Sequence, residues 1–265
     1  MENDKLSATF WDHLDELRGV IIRIAVAVVV VAAAAFSFKD QIFAIIFAPQ
    51  SSDFVTYTLF EGFSSLFSGG DGSVENFSIE VINTQLTQQF TTHITVSVWV
   101  GILLVFPYIL FELFRFVSPA LYSHERNYAF WVVSWGYVMF LMGVALSYFM
   151  VFPLTFRFLA TYQVSGNVAN LIELNSYIGT LMTLSVMMGL VFELPILCWF
   201  FAKLGFISAQ LMRSARRYAV IALLVIAALI TPTADAVTML LVAAPMYLLY
   251  EASILIVALT TRRPQ

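Results

Sequence analysis

The sequence predicts an all-α, polytopic membrane protein with six transmembrane helices and both termini on the cytoplasmic side. Apolar residues make up 60% of the 265-residue chain and charged residues only 11%, against roughly 25% charged residues in a soluble domain. The apolar residues lie in long runs, and the basic residues collect at one set of run ends. We treat 1–265 as a single integral membrane domain with spans at about 20–38, 93–111, 128–152, 174–202, 218–230 and 236–259.

Length separates the fifth span from the others. A helix rises about 1.5 Å per residue, so about 20 residues are needed to cross a hydrocarbon core of about 30 Å. Residues 218–230 are too few, and the turn sequence 231–235 follows them. Asp235 in that turn is a suitable N-cap for the sixth helix. We therefore expect a hairpin whose turn stops short of the far surface, in a locally thinned bilayer.

The basic residues set the orientation. Of the thirteen lysines and arginines, only Lys39 and Arg157 fall on the side opposite the termini. By the positive-inside rule, both termini are cytoplasmic. The first outer loop, about 39–92, interleaves aromatic residues with turn residues, so we expect it to fold as a cap over the helix ends. The second outer loop, about 153–173, is expected to begin at Pro153.

An acidic face distinguishes the N-terminal segment. Residues 9–18 are predicted to form a helix, with Thr9 and Asp12 as a capping box. One face is an apolar stripe that can lie on the membrane, and the opposite face carries Asp12, Asp15 and Glu16. The cytoplasmic leaflet is anionic and attracts basic helices. The acidic face therefore favours a cationic partner, and the alternative is a merely solvated face.

A second acidic position follows the second span, in residues 111–126. Glu112 and Arg115 are three residues apart on a helix and can pair with each other. Glu125 then lies beside Arg126 at the start of the third span. Carboxylates at Glu16 and Glu125 could each bind a guanidinium group through bidentate, charge-assisted hydrogen bonds.

Glu193 is the third unusual acid. It lies ten residues before Lys203, which at helical rise is roughly 15 Å from the cytoplasmic end and near the bilayer centre. A charge there costs at least ~2.5 kcal/mol, so such residues are usually functional. Pro195 should kink the helix beside it. The alternative is that Glu193 only makes a helix-packing hydrogen bond.

Taken together, these segments resemble the TatC family, the multispanning subunit of the twin-arginine protein translocase. The resemblance covers nearly the whole chain and rests on six motifs: FWDHLDELR (10–18), FRFVSPALYSHER (114–126), FPLTFRFL (152–159), FELP (192–195), ITPTAD (230–235) and PMYLLYE (245–251). It implies a receptor in the bacterial inner membrane that recognises folded proteins bearing twin-arginine signal peptides. It also implies a concave helix arrangement with a membrane-buried acid, matched here by Glu193.

The resemblance also implies site residues and partners. The signal-peptide positions are Glu16, Glu125, Phe116, Leu121 and Arg18. The short last two helices, with Asp235 and Glu251, imply an edge where the single-span subunits TatA and, if present, TatB pack. A homo-oligomer within a receptor complex is expected as well.

Other classes of protein fit the sequence less well. A proton-coupled secondary transporter using Glu193 is the alternative function, but it predicts internal repeats and further polar groups at the midplane. An enzyme would need a nucleophile with a base or a metal-ligand set, and the three histidines are scattered. No phosphate-binding glycine loop is present. No cofactor, metal or nucleic-acid partner is therefore expected.

Overall fold

The computed structural model describes residues 2–51, 54–57, 81–117, 129–162, 165, 170–231 and 236–261, with only the backbone described for 2–13, 117, 129–130 and 261. Helices dominate these ranges: α1 Glu2–Phe36, α2 Lys39–Phe47, α3 Gln88–Val117, α4 Ala129–Leu146, α5 Phe152–Thr161, α6 Leu174–Phe192, α7 Leu194–Lys203, α8 Ala209–Ser214, α9 Arg216–Ile230 and α10 Ala236–Thr261. Two short strands, β1 Val81–Ile82 and β2 Ile172–Glu173, pair in parallel. The chain divides into two compact units, residues 1–38 with 93–138 and residues 39–92 with 139–265.

Five helical segments of the described chain are long and apolar enough to cross a membrane: Leu14–Phe36, Gln88–Phe116, Trp131–Thr161, Leu174–Lys203 and Ala236–Thr260. The helical, multi-pass fold class is therefore confirmed. Helix α9 has 15 residues, or about 22 Å at 1.5 Å per residue. The six-span count, the side on which the termini lie and the single-domain assignment stay predictions.

Helices α1 and α3 pack closely within the first unit. A Cβ atom on Gly101 would lie 3.0 Å from the Val28 carbonyl oxygen and 3.1 Å from the Ala32 side chain. Farther along, the rings of Phe36 and His93 stack with centroids 3.8 Å apart. Small residues of this kind let two membrane helices approach each other. The three contacts define an antiparallel register between the two helices.

Helix α1 begins earlier than the sequence predicted. It runs unbroken from Glu2 to Phe36, so Thr9 lies inside the helix and the predicted capping box at Thr9 is wrong. The reason is local: residues 2–8 contain no glycine or proline that would end a helix.

Helix α5 contradicts the predicted start of the second outer loop. The chain stays helical through a π-helical turn, Ser147–Val151, and on through Pro153 to Thr161. Proline is tolerated in the first turn of a helix, where its missing N–H breaks no hydrogen bond. The Thr56 hydroxyl donates to the carbonyl of Phe149, four residues before the proline. The helix therefore ends at Thr161, beyond the predicted loop start at Pro153.

The described part of the first outer loop packs on helices of the second unit. The buried Tyr57 hydroxyl lies 3.1 Å from the Pro49 carbonyl oxygen and 3.2 Å from that of Pro153. The Tyr177 hydroxyl donates to the Ile46 carbonyl at 2.9 Å. Residues 58–80, which include most of the predicted cap, lie outside the described residues.

Candidate functional site

The N-terminal part of the predicted recognition site lies on α1. Asp15, Glu16 and Arg18 are exposed there, and Val20, one turn after Glu16, is the first buried residue of the described side chains. The acidic face predicted for this segment is thus present at Asp15 and Glu16. Phe116 is half-buried in the last turn of α3.

The antiparallel register places these two groups at the same level. Arg23 of α1 contacts Glu112 of α3. The helices are antiparallel, so one turn before Arg23 on α1 lies level with one turn after Glu112 on α3. Residues 18–19 are therefore level with the last turn of α3. Glu125 and Leu121 belong to residues 118–128, which lie outside the described residues. The structure therefore brings Glu16, Arg18 and Phe116 to one end of the α1–α3 pair.

Glu112 is engaged differently from the prediction. Its side chain is only 2% exposed, and its Oε2 accepts from Arg23 Nη2 at 2.7 Å and from Arg23 Nε at 3.1 Å. The predicted pairing with Arg115 is wrong, because Glu112 faces α1 whereas Arg115 is exposed. Arg23 lies inside the first apolar run, where a cation requires a partner, so the sequence indicates that Arg23 is paired but does not identify Glu112.

Glu193 lies where the fourth long helical segment is interrupted. It forms the turn between α6 and α7, and Pro195 lies in the first turn of α7, so the predicted break beside the proline is confirmed. The side chain is 6% exposed, and its Oε1 has no hydrogen-bond partner among the described residues. Buried polar atoms are rarely left unpaired, so this carboxyl group is an exception among the buried side chains of the described residues.

A close helix contact fixes the position of that turn. A Cβ atom on Gly143 of α4 would lie 2.5 Å from the Met188 carbonyl oxygen, and one on Gly189 would lie 2.5 Å from the Phe140 ring. Helices α4 and α6 therefore meet backbone to backbone, one turn before Glu193. Glycine at these positions is required by the close approach.

Glu251 joins the two helices of the C-terminal hairpin. Its Oε2 accepts from Arg216 at 2.7 Å, and its Oε1 accepts from the Tyr247 hydroxyl at 3.0 Å. This ion pair connects the first residue of α9 to α10, at the hairpin end opposite the turn. Asp235 lies outside the described residues. Among the described residues, no group of histidine, cysteine and acidic side chains could hold a metal ion.

Comparison with known proteins identifies the family. The family model for the Sec-independent protein translocase protein (TatC) matches residues 12–245. A TatC of Blattabacterium sp. subsp. Periplaneta americana is 33% identical over 97% of each chain. A TatC of Deinococcus radiodurans is 32% identical over 94% of this chain and 86% of that protein.

A solved structure agrees with the sequence comparison. A crystal structure described as the twin-arginine translocase receptor TatC superposes with a TM-score of 0.73 at 31% identity, over 94% of this chain and 100% of that one. The match extends over nearly the whole length of both chains, as the motif resemblance does. This chain belongs to the TatC family of Sec-independent protein translocase proteins.

Proposed function

We propose that this chain is the signal-peptide receptor and a core subunit of a twin-arginine translocase that exports folded proteins. In this proposal it spans the bacterial cytoplasmic membrane with both termini in the cytoplasm. The observation that carries the proposal is the exposed carboxylate of Glu16, which lies at the same end of the α1–α3 pair as Phe116. The names of the relatives all describe a protein translocase, so the transporter alternative has no comparable support.

The chemistry of recognition follows from these groups. Carboxylates of Glu16 and Glu125 each bind one guanidinium group of the signal peptide, because charge-assisted hydrogen bonds are the strongest that such groups make. Phe116 and Leu121 contact the apolar residues next to the arginines. Arg18, on the same exposed end of α1, donates to carbonyl oxygens of the bound peptide. The role is binding and translocation, with no catalytic step.

The remaining predicted residues act on the translocation step. The Glu193 Oε1 has no hydrogen-bond partner in the described part of the chain, and in this proposal it bonds a polar group of an inserted signal peptide or of a partner helix. The short hairpin of α9 and α10, with its turn at Asp235, is the edge where single-span TatA and TatB subunits pack. Glu251 holds that edge together through its ion pair with Arg216. Several copies of the chain assemble in the receptor complex.

Peptide binding to the purified chain tests the recognition site. A signal peptide with Arg-Arg and one with Lys-Lys are titrated against the wild type, Glu16→Ala, Glu125→Ala and the control Asp15→Ala. Loss of one charged hydrogen-bond pair costs roughly 1.5–3 kcal/mol, or about ten- to a hundredfold in affinity. We expect that loss for Arg-Arg peptide in both glutamate variants and a much smaller effect in the control. Unchanged affinity in Glu16→Ala and Glu125→Ala contradicts the assignment.

A further inference from the structure

The segment that joins α7 to α9, residues 203–218, carries positive charge only, and we call it the basic loop. Its basic residues are Lys203, Arg213, Arg216 and Arg217, and no acidic residue occurs between Glu193 and Asp235. The N-terminal segment and the first cytoplasmic loop differ. Residues 1–18 carry five acidic residues against two lysines and arginines, and residues 112–126 carry two of each kind. An anion is therefore attracted to the basic loop and not to the other two segments.

Most of this charge is uncompensated. Arg216 Nη2 donates to Glu251 Oε2 at 2.7 Å. Lys203, Arg213 and Arg217 are exposed, and none of them has an acidic partner in the described ranges of the chain. Arg217 instead donates to the neutral Tyr218 hydroxyl at 3.0 Å and lies over that ring, with its Cζ 4.8 Å from the centroid. Three full positive charges thus remain for a ligand.

The start of the basic loop continues the membrane surface of α7. Gly205, with a φ of +79°, ends the helix in a Schellman motif: its N–H donates to the Ala202 carbonyl at 3.1 Å, and the Phe206 N–H donates to the Phe201 carbonyl at 3.0 Å. The Phe206 and Phe201 rings lie edge to face with centroids 6.5 Å apart. Phe201 is exposed in the membrane segment that ends at Lys203, and Phe206 is 72% exposed. Phe206 therefore extends the lipid-facing surface into the basic loop.

Helix α8 is held on the protein by one face and leaves an apolar residue on the other. Met212 is buried in an apolar cluster with residues of α7 and α10, and its carbonyl accepts from the Tyr250 hydroxyl at 2.8 Å. The Ser208 side chain caps the helix by accepting from the Leu211 N–H at 3.2 Å. Leu211 is 55% exposed, two residues before Arg213. The basic loop is thus a packed surface that presents apolar and basic side chains together.

This combination selects the ligand. Phosphate groups pair with arginine and lysine at the membrane surface, and apolar side chains beside them insert at the boundary of the acyl chains. A soluble anion would satisfy the charges but would leave Phe206, Leu211 and Tyr218, which is 61% exposed, in water. A zwitterionic headgroup carries its own ammonium group, which the three uncompensated charges repel. An anionic phospholipid satisfies both the charged and the apolar residues.

We propose that the basic loop is a binding site for anionic phospholipids of the cytoplasmic leaflet, such as phosphatidylglycerol. Arg213 and Arg217, which flank the junction of α8 and α9 at Ala215, donate to the headgroup phosphate, and Lys203 adds to the attraction. The acyl chains cover Phe206. The site uses none of the residues proposed for signal-peptide recognition, and it places a bound lipid at the first turn of the short helix α9.

Native mass spectrometry of the full purified chain in detergent tests the proposal. The chain is titrated with phosphatidylglycerol, with phosphatidylcholine of the same acyl chains, and with soluble glycerophosphoglycerol. The variants are Arg213→Gln, its combination with Arg217→Gln, and Arg213→Lys, which keeps the charge. Arg115→Gln removes another exposed arginine that is predicted to lie on the same side of the membrane, and it is the matched control for surface charge in general.

One basic residue beside anionic lipid contributes about fivefold in affinity, and two contribute about thirtyfold. We therefore expect Arg213→Gln to bind phosphatidylglycerol about fivefold more weakly and the combined variant about thirtyfold more weakly. Binding of phosphatidylcholine and the Tm in lipid-free detergent should not change, and Arg213→Lys and Arg115→Gln should bind as the wild type does. The proposal is overturned if Arg115→Gln loses as much affinity as Arg213→Gln, if the wild type binds the two lipids equally, or if the soluble headgroup binds as tightly as the lipid.

Discussion

Replacing Gly143 with alanine tests the backbone contact between α4 and α6. The new Cβ atom would lie 2.5 Å from the Met188 carbonyl oxygen and 2.9 Å from the Gly189 Cα, whereas a relaxed carbon–oxygen contact needs about 3.3 Å or more. The helices must therefore separate by nearly 1 Å. Overpacking of this kind costs about 1–3 kcal/mol, which lowers Tm by about 2–10 °C in a chain of this size.

The assay is thermal unfolding in one detergent, with two matched glycine variants. Gly179 lies on α6, the helix that α4 contacts, and a Cβ atom added there would meet no other atom within 4 Å, so Gly179→Ala should be neutral or stabilising by up to ~1 kcal/mol. In Gly189→Ala the new Cβ atom meets the side chain of the buried Phe140 and not a backbone atom, so the loss should fall between those of the other two variants. A Tm for Gly143→Ala equal to that of Gly179→Ala refutes the reasoning.

Three further outcomes are expected. Arg23→Leu leaves the buried Glu112 carboxylate without its partner and should lower Tm, whereas Arg23→Leu combined with Glu112→Leu should recover much of the loss in the same assay. Burial raises the pKa of Tyr57 to about 12 from 10.0, partly opposed by Arg157, so the tyrosinate absorbance of Tyr57→Phe should match that of the wild type from pH 10 until about 12. The stability that comes from the protonated hydroxyl is fully present below about pH 10 and is lost as the pH rises from about 10 to about 12. Glu193→Gln should transport substrate much better than Glu193→Ala, with signal-peptide binding retained in both; normal transport by Glu193→Ala contradicts a role for this residue.

Rules about composition and about single residues such as proline predicted the fold class and the interruption of the fourth long helical segment. The break at Glu193 follows from Pro195, which cannot donate to a carbonyl in the preceding turn. The fold class follows from composition and from the length of the apolar runs. The same rules misplaced the start of α1, because a threonine such as Thr9 occurs both at helix starts and inside helices. They also ended the third helical segment too early, because a proline such as Pro153 occurs both after helices and in their first turn.

Contacts between distant residues could not be predicted from the sequence. Glu112 has a basic residue three positions away, and only the packing of α1 against α3 shows that Arg23, 89 residues away, is its partner. For the recognition site, the acidic positions were predicted from the sequence, and the α1–α3 register shows that Glu16, Arg18 and Phe116 lie at one end of the helix pair.

The contacts of Tyr57 impose an order on the assembly of the chain. Its hydroxyl lies between the carbonyls of Pro49 and Pro153, and Pro153 is 96 residues further along. During synthesis, the first outer loop therefore cannot take up this packing until the third membrane segment has been made and inserted. Until then the tyrosine is exposed to solvent together with its neighbours, and the loop is open to proteases on that side of the membrane. Protection of residues 39–57 from proteolysis would thus report insertion of the third segment in a nascent chain.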